Sequence, residues 1–412
     1  MKKILALVLA ALMVLSMVAC AKTETDDSIV IKVWTPTEDQ DGQNWLGAME
    51  EKFLAAHPEY SNVKFENTTM GEGEAGAAVV ADVTASADVF MFANDQLGKL
   101  VNAGGLSELA GVYADQVKND NSDFMINSVT HTDGKLYGFP VTNNTWFMYY
   151  DKSVFTAEDV VSLEKMLEVC AEKDKKIYLP FGTGWTAGCI FLGCGATIFG
   201  EAGNDAAAGI DFGGEKGYTA AKKMIELVES PYVIAGGMSI EKVVSGEASV
   251  TFTGSWDYAK VEAALKDNLG VAALPKFTAD GNEYRMTAMS GSKCVGVNPN
   301  SGAVEGKQEI ATAFAAFLAS EEAQLARYEM RGAIPAHKNL KTNEKIAADP
   351  VAVAEMDTIA NASVVQSALP GLDNYWGPVE TFGNKIVTKE YNMENYTLEV
   401  DNLQKALNGQ AV

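Results

Sequence analysis

Trp185, Trp256 and Trp376 each stand where the chain turns. Trp256 follows Gly254-Ser255 between a strand and a helix. Trp185 lies in the glycine-rich "FGTGWTAG" (181–188). Trp376 lies beside Tyr375 in the Pro/Gly-bounded "PGLDNYWGPV" (370–379). Rings at such turns face a cleft or cap a helix, and they offer a large apolar contact area. Polar groups occupy matching places. Asn94 and Asp95 follow "DVFMFA" (88–93), whose Phe92 is either core or site. Asn143-Asn144 interrupt the aromatic stretch "GKLYGFPVTNNTWFMYYDK" (134–152), and Asp257 adjoins Trp256. Glu38, Asp39 and Asp41 follow the first strand, while Glu72 and Glu74 precede a helix. Amides and carboxylates supply hydrogen-bond donors and acceptors in fixed directions. The same residues also cap helices, and in α/β sheets the two roles coincide beyond the carboxyl ends of strands.

Signatures of reactive chemistry are sparse. No Gly-x-Ser-x-Gly, His-Glu-x-x-His or phosphate loop is present. The three histidines and five cysteines show no metal-ligand spacing, so neither a metal site nor a cofactor is expected. Cys189 and Cys194 are either a disulfide or buried thiols. A glycosidase needs two carboxylates about 5–9.5 Å apart, and with 55 acidic residues composition leaves that open.

The start of the chain sets the compartment. Lys2-Lys3 precede an apolar run from Ile4 to Leu15, shorter than a membrane span, and Ser16-Met17-Val18-Ala19-Cys20 follow. Small residues before a cysteine resemble a bacterial lipobox, which implies that residues 1–19 are a signal peptide and that Cys20 is lipidated. The polar residues 20–28 suit a tether to the outer face of the cell membrane. Loss of Lys2 and Lys3 moves the net charge from −23 to −25. So acidic a surface disfavours nucleic acid and other phosphate-rich partners.

Strand and helix patterns alternate through residues 29–110. "IVIKVWT" (29–35), "VKFENTT" (63–69) and "ADVFMFA" (87–93) read as strands. Residues 44–59, 75–86 and 96–110 read as helices. This order predicts a mostly parallel sheet flanked by helices. Further helices are expected over 162–174, 214–230 and 307–331. Further strands are expected over 176–182, 248–253, 270–277 and 287–299.

Six segments in order resemble one family: "VWTPTEDQDGQNWLGAMEEKF" (33–53), "ADVFMFANDQLGKLVNAGGL" (87–106), "GKLYGFPVTNNTWFMYYDKSVF" (134–155), "SGEASVTFTGSWD" (245–257), "LPKF" (274–277) and "AFAAFLASEEAQLARY" (313–328). The chain resembles the bacterial extracellular solute-binding proteins of sugar ABC transporters, of the maltose-binding type. That resemblance implies an α/β fold of two lobes, each a mostly parallel sheet with flanking helices, hinged at a ligand cleft. Lobe 1 would comprise 29–141 plus 283–335, and lobe 2 145–280 plus 338–412. It further implies a monomeric receptor, not an enzyme, that closes on an oligosaccharide and docks on the transmembrane permease subunits. Malto-oligosaccharide is favoured. A non-sugar solute such as a polyamine or iron is the alternative, and a secreted glycosidase the second.

By that resemblance Trp256, Trp376 and Trp185 are stacking platforms, with Tyr375 and Phe92 as further aromatic candidates. Asp95, Asn94, Asn144, Asn143 and Asp257 are hydroxyl partners, joined by Glu74 and by one of Glu38, Asp39 and Asp41. Trp34 and Trp45 are expected in the core. Thr142-Asn143-Asn144 is expected to be the crossing between lobes. Asn144 and the pair Asp95-Gln96 stand where the family often has charged residues, which leaves the sugar's identity and linkage open.

Overall fold

The computed structural model describes residues 28–410; the predicted leader and Cys20 lie outside the described residues. The chain folds as a two-lobed α/β protein. The first lobe's sheet starts as predicted, with Ile29–Thr35 paired in parallel to both Val63–Thr69 and Val89–Ala93. Its core holds Ile31, Val33, Phe90 and Phe92 against Trp45, Phe53 and Phe314 from the covering helices. Trp45 is buried and donates Nε1–H to Ala323 O at 2.9 Å. Trp34 is half-buried against the same core.

The sheets are mixed rather than mostly parallel. Ala288–Val297 joins the first lobe antiparallel to Val89–Ala93 on one side and to Phe139–Asn144 on the other. In the second lobe Phe147–Asp151 lies between antiparallel Val250–Thr253 and Leu269–Ala272, while Ile177–Leu179 and Val233–Ala235 pair in parallel. The strand–helix order that predicts parallel pairing covers residues 29–93, where it holds, and most of the later strands pair antiparallel.

Ala288–Val297 ties the lobes together. Met286, Ala288 and Met289 belong to the second core, whereas Cys294, Val295 and Val297 belong to the first. Residues 283–289, expected in lobe 1, therefore pack with lobe 2. Its first three residues also pair in parallel with Ser363–Val365. The crossing of the opening aromatic stretch also moves. Asn143 and Asn144 remain in a strand, paired with Ser292 and Gly291, and the break falls at Thr145–Trp146. The Thr145 and Ser290 hydroxyls meet there at 2.5 Å. Residues 307–331 form two helices, Lys307–Leu318 and Glu321–Arg331, because Ser320 caps the second by accepting from Ala323 N–H. Cys189 and Cys194 are free thiols.

Candidate functional site

The crossings floor a cleft. Asn94, at the end of Val89–Ala93, donates Nδ2–H to Gln366 O at 2.9 Å and accepts at Oδ1 from Ser292 N–H at 3.1 Å. Gln366 N–H in turn donates to Ser290 O. A side chain on Gly291 would come within 2.0 Å of Asn94 Oδ1, so glycine alone permits this bridge. Asn94 is thus fully buried and ties the end of its own strand to two other segments, at Ser292 and at Gln366; its expected ligand role does not fit. The neutral amide suits that work, since it donates and accepts without burying charge.

Beside the clamp, Asp95, Asn144, Trp185 and Trp376 line a single open cavity of about 420 Å³, together with Ala93 and Gln366. Trp185 is fixed by Nε1–H donating to Met289 O at 2.9 Å. Trp376 lies in the helix Asp373–Val387, whose backbone closes on Gly184: a Cβ there would meet Trp376 O at 2.7 Å. Asp95 Oδ1 is buried and has no hydrogen-bond partner. Burial pushes its pKa from 3.8 up to about 6, against backbone N–H bonds and Lys99, which lower it. Gln366 carried no sequence signal beyond its place as a polar residue after "SVV".

Asp95 therefore makes a testable trade. A carboxyl whose folded pKa is raised gives stability that is complete below 3.8 and lost as pH rises through about 6. That loss corresponds to at most about 3 kcal/mol at pH 8, and water in the open cavity reduces it to about 1–2 kcal/mol. Asp95→Asn is expected to raise the melting temperature at pH 8 but not at pH 3.5, while weakening ligand binding. Equal effects on melting at both pH values would contradict this assignment.

Asn144 also borders a narrow neck of about 60 Å³, with Asn143, Glu72, Lys293, Arg327, Arg331, Ser255 and Trp256. Trp256 is 47% exposed and stacks on Trp185, with ring centroids 5.8 Å apart at 26°. Its ring folds over Gly254, where a Cβ would lie 2.1 Å from it, and Gly254 O accepts from the Tyr149 hydroxyl at 3.1 Å. These contacts fix the turn that carries Trp256. Behind it, burial pushes Glu355 up to about 8, so this carboxyl is neutral at pH 7 and adds no charge beneath the platform.

The neck's floor is ionic, which the sequence reading missed. Arg327 grips Asp39 through Nε–Oδ1 at 2.8 Å and Nη2–Oδ2 at 2.7 Å, and Arg331 adds Nη1–Oδ1 at 2.6 Å. Burial raises the Asp39 pKa, but the two guanidinium groups outweigh it and hold the carboxyl below 3.8. Arg327 also donates to Thr142 Oγ1. Glu72 Oε1 lies 3.5 Å from Lys293 and 3.6 Å from Arg327, and makes no hydrogen bond. Lys293 was visible as the one charge inside the apolar "AMSGSKCVGV" (288–297).

Other expected site residues lie elsewhere. Phe92 and Tyr375 are fully buried in the first and second cores. Asp39 is consumed by its arginines. Asp257 accepts from Thr253 Oγ1 at 2.8 Å and lines none of these cavities. Asp41 and Glu74 are exposed and line none of these cavities, whereas exposed Glu38 borders a further chamber past Trp256.

Two lobes joined by three crossings, with aromatic rings and unpaired polar groups between them, define a cleft receptor that captures its ligand by enclosure. The chain belongs to the family described as "Bacterial extracellular solute-binding protein", whose profile matches residues 48–354. A Galactooligosaccharide-binding protein of Bacillus subtilis is 27% identical, over 94% of this chain and 93% of its own. A "Maltooligosaccharide ABC transporter solute-binding lipoprotein" of Streptococcus pneumoniae is 25% identical over 71% of this chain and 70% of its own. Among solved structures, one described "with acarbose" shares 38% identity and a TM-score of 0.84, covering 93% of this chain and 99% of its own. Maltodextrin binding protein MalE1 from L. casei, without ligand, shares 26% identity and a TM-score of 0.84, covering 92% and 99%.

Proposed function

We propose that this protein is the receptor of an ABC importer that captures an oligosaccharide, with malto-oligosaccharide the favoured class, and delivers it to the membrane permease. The observation that carries this is the cavity where Trp185 and Trp376 face Asp95, Asn144 and Gln366. Pyranose rings have apolar faces for the tryptophans and hydroxyls for the amides and carboxylate. The relatives' oligosaccharide ligands support the same class. The protein binds without catalysis and works as a monomer. Lipid on Cys20 holds it on the outer face of the membrane, as in the lipoprotein relative. The lobes close as two bodies about the crossings at 144–147, at 288–293 and between the helices Glu321–Arg331 and Pro350–Asn361.

Calorimetry with purified oligosaccharides of varied linkage and length tests this. We expect saturable binding of an α-linked glucose oligomer with a dissociation constant in the micromolar range, about −8 kcal/mol. A melting rise with spermidine or iron and none with any sugar would overturn the reading.

A further inference from the structure

The helix Asp373–Val387 carries Trp376 and also docks the segment that carries Trp185. Trp376, Glu380, Gly383 and Asn384 lie at i, i+4, i+7 and i+8, so they share one helix face. That face meets the backbone of residues 181–187. Asn384 Nδ2–H donates to Gly182 O at 3.1 Å, and Glu380 Oε2 accepts from Gly184 N–H at 3.1 Å. Alongside these bonds the two backbones touch. A Cβ on Gly383 is already 2.0 Å from where Phe181 O stands and 2.8 Å from Ala187 Cβ, if it is built on that backbone; one on Gly184 lies 2.7 Å from Trp376 O.

These contacts meet a local need. The short helix Gly184–Ala187 starts after Thr183, whose hydroxyl pairs with Thr186 Oγ1 at 2.6 Å and makes no cap. The first N–H of the helix therefore has no local acceptor. Glu380, 196 residues away, supplies one. The glycines let backbone meet backbone where any side chain would hold the two segments apart. On its other edge the loop is closed by Gly182 N–H donating to Gly236 O at 2.6 Å. The Trp185 main chain is thus fixed by the helix that bears Trp376, and its indole by Met289 O. None of Glu380, Gly383 and Asn384 lines the cavity itself.

We infer that Glu380 and Gly383 are positioning residues for the aromatic seat: through one helix face they hold the main chain of Trp185 at a set distance from Trp376. This rests on the carbohydrate reading proposed above and adds to it what fixes the spacing of the two platforms. Both rings pack on the second lobe's core, so the spacing belongs to that lobe alone and is set before ligand arrives. Closure then brings Asp95 of the first lobe to a seat already formed. A seat ordered in advance raises affinity, because binding does not have to order its rings.

Circular dichroism and calorimetry on the full chain test the inference. Trp185 and Trp256, stacked at 5.8 Å, couple their indole transitions, and Trp185→Phe identifies the resulting exciton signal. Glu380 is exposed, so Glu380→Ala removes the acceptor without opening the core. It is expected to shift or reduce the exciton signal of the ligand-free protein and to weaken maltotriose binding about fivefold, the effect of one lost hydrogen bond. Glu380→Gln keeps an acceptor oxygen and is expected to restore both. Gly383→Ala, which must push residues 181–187 off the helix, is expected to change both further. Should that variant fail to fold, the two Glu380 variants decide alone. An unaltered exciton signal in Glu380→Ala overturns the inference even where its melting temperature falls. So does an unchanged affinity, or a Gln variant that behaves as the Ala variant does. Absence of maltotriose binding by the unaltered protein counts against the carbohydrate reading, and the exciton signal then decides the positioning by itself.

Discussion

Arg327→Ala is expected to cost about 3–5 kcal/mol of folding stability, the loss typical when one partner of a buried ion pair is removed. Asp39 is fully buried, and two of its three guanidinium hydrogen bonds come from Arg327. Arg331 remains in the variant, with one bond of 2.6 Å from a side chain at the edge of the neck. It leaves Asp39 Oδ2 without its partner. The guanidinium also packs 5.3 Å from the Trp45 ring, so apolar contact is lost with the charge. Urea unfolding at pH 7 measures the change. The pH dependence supplies a second reading. Asp39's carboxyl is held below 3.8, so its contribution is present above pH 3.8 and lost as pH falls through the folded value. In Arg327→Ala that acid-side loss should largely vanish. Asp39→Asn in the same background should restore part of the stability by removing the stranded charge. A loss under about 1 kcal/mol would show that Arg331 and water suffice for Asp39.

The lobes, the order of their elements and the position of the cleft were legible because they depend on local pattern and motif order. Trp185, Trp376, Asp95 and Asn144, which line one cavity, were candidates for the same reason: each lies at the end of a strand or in the first turn of a helix, and such ends open onto clefts. Failures arose where partners come from far along the chain. Asp39 is a ligand candidate until Arg327, 288 residues away, is seen on it. Asn94 reads as a cleft amide until Ser292 and Gln366 close on both its ends. Tyr375 neighbours a cleft tryptophan, yet successive helical side chains point about 100° apart, which sends it into the core beneath. Strand direction was incomplete for a different reason: the strand–helix order fixes parallel pairing only for residues 29–93, and the later strands that pair antiparallel come together from distant parts of the chain.

Trp256→Ala is expected to weaken oligosaccharide binding by about 2–4 kcal/mol, the range for an aromatic anchor at the centre of an interface, with little change in melting temperature. The two effects separate because nearly half of the Trp256 surface is exposed without ligand. The turn beneath it keeps the hydrogen bond from the Tyr149 hydroxyl to Gly254 O when the indole is removed. Trp185 offers the sharper comparison. Its ring is half-buried, tied to Met289 O and stacked on Trp256. Trp185→Ala should therefore lower both affinity and stability. The double variant should lose less affinity than the two single losses combined, because each ring positions the other. Full additivity would mean that the rings meet the ligand independently and that their stacking has no part in shaping the site. An unchanged affinity in Trp256→Ala would place the ligand wholly on the Trp185 side of the neck. It would thereby remove Trp256 from the binding site.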